Sequence, residues 1–98
     1  MKAELLLKDR HALPGNAFAE LVVWRVPVPI SGCRHLYKYR LALVVDGVCV
    51  LRYDNETGKG DHRHVGRLEY DYQFSDPVRL VSDFHQDVMR WLHENRKD

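Results

Sequence analysis

The sequence predicts an α+β fold, a sheet of about five mostly antiparallel strands with a C-terminal helix packed on one face. Two observations carry this reading. Asp46-Gly47 stands between two apolar runs, the mark of a two-residue hairpin turn. Beyond Asp76-Pro77 the apolar period changes from two to that of a helix, with Val81, Phe84, Val88, Trp91 and Leu92 in one stripe. The 98 residues fit one domain over positions 1–98, without repeats or linkers.

In chain order, Ala3 to about Arg10 reads as an edge strand with charged residues at both ends. Leu13-Pro14-Gly15-Asn16 is a turn by composition. Ala17 to Val26 is a strand whose Leu21-Val22-Val23-Trp24 centre is apolar on both faces, and Pro27, Pro29 and Ser31-Gly32 end it. Leu36 to Val45 and Val48 to Tyr53 form the hairpin. Counting outward from its turn pairs Val45 with Val48, Leu43 with Val50, Leu41 with Arg52 and Tyr39 with Asp54, and on the other face Arg40 with Tyr53. Cys49 then falls inside the strand as a packing residue. Arg67 to Phe74 alternates Leu68, Tyr70, Tyr72 and Phe74 with polar residues, giving a fifth strand. Ser75-Asp76-Pro77 supplies a cap and a first-turn proline, and the helix runs to about Asn95 with Asp83 and Asp87 on its solvated side. One helix covers one face, so the far face is expected to be covered by a homodimer mate or a protein partner.

Composition bounds the function. Hydrophobic residues at 45% and charged ones at 30% exclude a disordered chain, and no apolar run reaches the roughly 20 residues of a membrane span. The N-terminus lacks the apolar core of a signal peptide, so a cytoplasmic protein is expected. Cys33 and Cys49 give no disulfide framework. The net charge of +1 divides unevenly, with eleven Lys/Arg against seven Asp/Glu in residues 1–68 and four against seven afterwards. A basic first part fits a surface that faces a polyanion.

Chemistry concentrates in Arg52-Tyr53-Asp54-Asn55-Glu56-Thr57-Gly58-Lys59-Gly60-Asp61-His62-Arg63-His64. Its two glycines read as a shaped loop, and not a strand, leaving the sheet beside Tyr39, Arg40, Arg52 and Tyr53. His62 and His64 alternate and so point the same way in extended chain. An imidazole titrates near neutrality, so two of them can serve as base and acid. RNA cleavage needs that pair, one to take the 2′-OH proton and one to protonate the leaving 5′-oxygen. Arg52, Lys59 and Arg63 are the cations for the phosphate, Arg40 adds to them, Asp54 orients an imidazole, and Tyr39 or Tyr53 stacks on a base. Gly58-Lys59-Gly60 could also turn backbone N–H groups toward a phosphate. This reading requires no metal and no cofactor.

The same His-x-His could ligate a metal, with Asp54, Asp61, His35 or Cys33 completing the set, and serve a metal-dependent nuclease. Alternatively the loop is hydrated polar chain that ends the sheet, and the protein is a non-catalytic interaction module. Tyrosines interleaved with Lys38, Arg40 and Arg52 also look like a nucleic-acid-binding sheet face, although strands favour tyrosine on propensity alone.

The Tyr39-Arg40-Leu41-Ala42-Leu43-Val44-Val45-Asp46-Gly47 hairpin, followed by Arg52-Tyr53-Asp54-Asn55 and Gly58-Lys59-Gly60-Asp61-His62-Arg63-His64, resembles the TumE family over most of the chain. These are small toxins of bacterial toxin–antitoxin pairs. The resemblance implies a cognate antitoxin with a helix-turn-helix domain. It supplies no catalytic residues; ribonuclease activity rests on the residues above and on analogy with other small toxins.

Overall fold

A computed structural model describes residues 2–95. Strands β1 (Glu4–Leu13), β2 (Ala17–Arg25), β3 (Tyr37–Val45), β4 (Val48–Glu56), β5 (Gly60–Val65) and β6 (Leu68–Asp71) form one sheet, and helix α1 (Pro77–Glu94) packs on it. Every strand pairs antiparallel with its neighbours in sequence, giving the order β1-β2-β3-β4-β5-β6. The α+β class and the terminal helix are as the sequence predicts. The strand count is six because residues 52–64 are not a loop: they complete β4 and form β5, joined by a tight turn. The glycines serve the chain reversal, with Gly58 at φ 83° and Gly60 at φ 78°.

The β3–β4 hairpin departs from the register counted out from its turn. Val45 pairs with Val48 and Val44 with Cys49 as expected, across a turn in which Asp46 and Gly47 both take positive φ. The next pair is Leu43 with Leu51, so Val50 is an inserted residue, a β-bulge. Beyond it, Leu41 pairs with Tyr53, Ala42 with Arg52 and Arg40 with Asp54. The physical reason is burial. A straight ladder would set Arg52 and Asp54 beside Leu41 and Tyr39 under the helix and turn Leu51 and Tyr53 outward. The bulge reverses this, and Leu41, Leu43, Leu51 and Tyr53 all become core residues.

The core lies between α1 and one face of the sheet. Ala19, Leu21 and Val23 from β2 and Tyr39, Leu41 and Leu43 from β3 meet Leu51 and Tyr53 and the helical Leu80, Phe84 and Val88. Asp76 caps α1 by accepting from the Arg79 N–H at 2.8 Å, and Pro77 fills the first turn. Leu80 is the most buried helical side chain, while Val81 and Trp91 are half-buried. Asp87, expected in solvent, is buried because Arg63 and Tyr53 on the sheet supply its partners. Cys49, expected to pack, is exposed, since its place beside Val44 near the hairpin tip lies away from the helix. No helix among the described residues is long and apolar enough to cross a membrane.

The β2–β3 connection is fastened to the β4–β5 turn. The Gly58 N–H donates to the Ser31 carbonyl at 2.7 Å, and Gly32, at φ 94°, lies so near that a Cβ there would stand 2.9 Å from the Gly60 nitrogen. Gly32→Ala would combine an unfavourable φ with a backbone clash, so its cost should exceed about 1 kcal/mol. A fall of at least roughly 4–8 °C in the thermal midpoint is the expected result in a melt followed by circular dichroism.

Candidate functional site

The helix-free face of the sheet carries the histidine pair. Two rows of directly opposed residues cross it. One runs Lys8, Val22, Arg40, Asp54, His62, Asp71; the other runs Arg10, Glu20, Ala42, Arg52, His64, Glu69. His62 and His64 stand side by side with ring centres 6.4 Å apart, and Arg52 donates to His64 Nε2 at 3.2 Å. Because a guanidinium only donates, His64 accepts through Nε2 and carries its proton on Nδ1 when neutral. His62 differs, for both of its ring nitrogens face carboxylates, Nδ1 at 3.3 Å from Glu69 and Nε2 at 3.4 Å from Asp71. Glu69 also lies 3.9 Å from His64, so it bridges the two rings. Asp54 is 3.8 Å from His64 Nε2 and 3.0 Å from Arg52 Nε. That short approach to Arg52 is out of line for a hydrogen bond, and the buried Nε–H has no acceptor among the described residues. The contact is a charge pair, with Nε enclosed and the outer guanidinium nitrogen Nη2 turned to His64.

The fold therefore brings His62, His64, Asp54, Arg52 and Arg40 to one face. It places Arg63, Tyr39 and Tyr53 on the other, beneath or beside the helix. The Arg63 Nε–H and the Tyr53 hydroxyl both donate to Asp87 Oδ2, at 2.6 and 2.5 Å, which raises the Arg63 pKa further and, together with the burial that dominates, that of Tyr53. Lys59 is exposed at the β4–β5 turn, 3.8 Å from Glu56. The turn is not a phosphate cradle: the Gly58 N–H goes to Ser31 and the Lys59 N–H to Glu56. Glu69 was the residue missed from sequence. Its signal was Val65-Gly66-Arg67-Leu68, a second two-residue turn with Gly66 at φ 59°, which sets His64 opposite Glu69.

A second polar cluster sits at the helix-side end of β3 to β5. Asp61 Oδ1 accepts from the Tyr39 hydroxyl at 2.6 Å and lies 2.8 Å from His35 Nε2, while Phe74 stacks on the His35 ring at 3.9 Å. Burial first, and then Asp61, push the Tyr39 pKa upward, so this phenol stays a donor. Among the described residues, Cys33, His35 and Asp61 are the three whose ligand atoms converge within 4.8 Å of one another, a set able to suit zinc by composition. Two observations oppose that use. The Tyr37 N–H donates to His35 Nδ1, so the ring proton is on Nε2, the atom facing Asp61. Burial also pushes the Cys33 thiol up, against the thiolate a metal needs. His62 and His64 belong to no such three-residue set among the described residues. The cluster is a hydrogen-bonded hub that fixes the start of β3 against β5.

No curated protein and no solved structure matches the chain. A family model does match, that of toxin TumE, over residues 2–92. That span takes in all six strands, the histidine pair and the helix to Leu92, and the chain therefore belongs to the TumE toxin family.

Proposed function

We propose that the protein is the toxin of a toxin–antitoxin pair and acts as a metal-independent ribonuclease through the histidine pair on its open sheet face. The observation that carries the reading is the unequal setting of two adjacent imidazoles. His64 holds a lone pair at Nε2 beside Arg52, and His62 faces a carboxylate at each ring nitrogen. His64 is the base: the Arg52 guanidinium turns from His64 Nε2 to the phosphate, and the freed Nε2 lone pair takes the 2′-OH proton as that oxygen attacks the phosphorus. The P–O5′ bond breaks and His62 gives its proton to the 5′-oxygen, leaving a 2′,3′-cyclic phosphate and a 5′-hydroxyl. Arg52, through the guanidinium nitrogen beside His64, and Arg40 across from Asp54 hold the phosphate and its developing charge. Asp54 orients His64 and Arg52, and Lys59 adds a cation at the adjoining turn. Arg63, Tyr39 and Tyr53 act through packing. The cognate antitoxin, with a helix-turn-helix domain, restrains the toxin in a hetero-complex.

Cleavage of total RNA by the purified chain is the test. Activity should persist in EDTA, fall on both the acid and the alkaline side, and leave 2′,3′-cyclic ends. Loss of activity in EDTA with recovery on adding a divalent metal would replace this mechanism with a metal-dependent one.

A further inference from the structure

The open face continues well beyond the histidines. From β5 to β1 it extends four strand spacings, about 19 Å. Along it lie three exposed cations, Lys8, Lys38 and Arg40. Arg10 is bound by Glu20 at 3.0 Å and Arg52 faces Asp54, but none of these three forms an ion pair among the described residues. Their positive charge is thus uncompensated. It surrounds an apolar patch, since Val22 lies between Lys8 and Arg40 in one row and Trp24 lies opposite Lys38. Both apolar side chains are half-buried on a face that no helix covers. A shallow depression lined by Lys8, Arg10, Glu20 and Val22 marks the far end.

We propose that this half of the face is a track for single-stranded RNA, with Lys8, Lys38 and Arg40 gripping the backbone and Trp24 and Val22 receiving bases. The proposal rests on the RNA-cleaving reading of the same face and names the form of its substrate. Uncompensated cations gathered on one face select a polyanion, and an indole among them selects exposed bases over stacked ones. A duplex would present its backbone and grooves and leave Trp24 without a partner. The row that holds Arg40 also holds His62, so a strand on the track is fed to the histidines.

Binding is measured with a His62→Ala/His64→Ala chain, which cannot cleave, and a labelled unstructured RNA of roughly 15 nucleotides. Adding Lys8→Ala, Lys38→Ala and Arg40→Ala should weaken binding at least tenfold at low salt. It should also flatten the slope of log affinity against log salt by about 2, as expected for three lost phosphate contacts on a single strand. A duplex of equal length should bind more weakly. In a Trp91→Phe chain, RNA should quench the fluorescence of Trp24, a readout that does not depend on the triple variant folding. Unchanged affinity and slope, equal duplex binding, or no quenching would overturn the track. So would sedimentation showing that the triple variant dissolves a dimer while RNA affinity stays the same, for the face would then be covered by a second copy. The two readings fail separately. Track binding without cleavage by the parent chain removes only the chemistry, and cleavage with an unchanged salt slope removes only the track.

Discussion

Alanine at His64 is expected to lower RNA cleavage by about 10²–10⁴-fold, the usual contribution of a positioned acid or base. Alanine at His62 should do the same. The two losses should not add, because a base without its acid and an acid without its base stall the same step. Thermal midpoints should move little, since both rings lie on the helix-free face and neither packs in the core. Neighbouring residues should divide by role. Arg52→Ala removes the donor to His64 and the cation beside it, and should reduce turnover strongly. Glu69→Gln keeps an acceptor beside both rings while removing its charge, and should shift the pH profile more than the maximal rate. Growth arrest on induction gives the same comparison in cells. If both histidine variants arrest growth as fully as the parent at equal expression, the chemistry does not reside here and the interaction-module reading takes its place.

Asp87→Ala should damage stability severely for a polar residue. One carboxylate oxygen accepts from both Arg63 and Tyr53, and Asp87 is only 8% exposed. Its removal strands a guanidinium and a hydroxyl between helix and sheet. Breaking a buried pair in this way costs about 3–5 kcal/mol, and the partial exposure of Arg63 favours the lower end. For a domain of this size about 3 kcal/mol lowers the thermal midpoint by roughly 12–24 °C. Tyr53→Phe, which leaves the ion pair intact, should cost only about 1 kcal/mol. A chain carrying Arg63→Met, Asp87→Leu and Tyr53→Phe together should recover much of the loss, because no polar group is then left without a partner. Equal midpoints for Asp87→Ala and the parent in a calorimetric melt would show that the carboxylate does not hold the helix down.

Much of the fold was legible because each element has a local cause. Asp46-Gly47, the Asp76-Pro77 cap and the Phe84/Val88 stripe each act over a few residues, and each is where the sequence puts it. The bulge at Val50 was harder, since it resolves a conflict between two signals. The turn dictates one register, while the Leu51/Tyr53 alternation, matched to Leu41 and Leu43, dictates the other, and core burial outweighs the ladder distortion. That conflict was visible in the sequence, and it misassigned the face of Arg52 and Tyr53. Reading residues 52–64 as a loop gave glycine too much weight, for in a hairpin two glycines occupy only the reversal. His62, His64 and Asp54 still came together, because the alternation that groups them survives in a strand. Arg63 could not follow them for the same reason. Its capture by Asp87 depends on where the helix crosses the sheet, a tertiary relation with no mark in the local sequence.

The unbroken strand order has a kinetic side. Each strand bonds only to the one made just before it, so the sheet can grow one hairpin at a time, and no step requires a distant segment to be found. Entropy lost in closing loops stays small until the end. Docking of α1 is the exception, because its buried side chains must return to β3 and β4 across the whole of β5 and β6. Until that closure, Leu41, Leu43, Leu51 and Tyr53 lie bare in a sheet already paired along its length. The late helix is thus the step at which a half-made chain ceases to be an aggregating one.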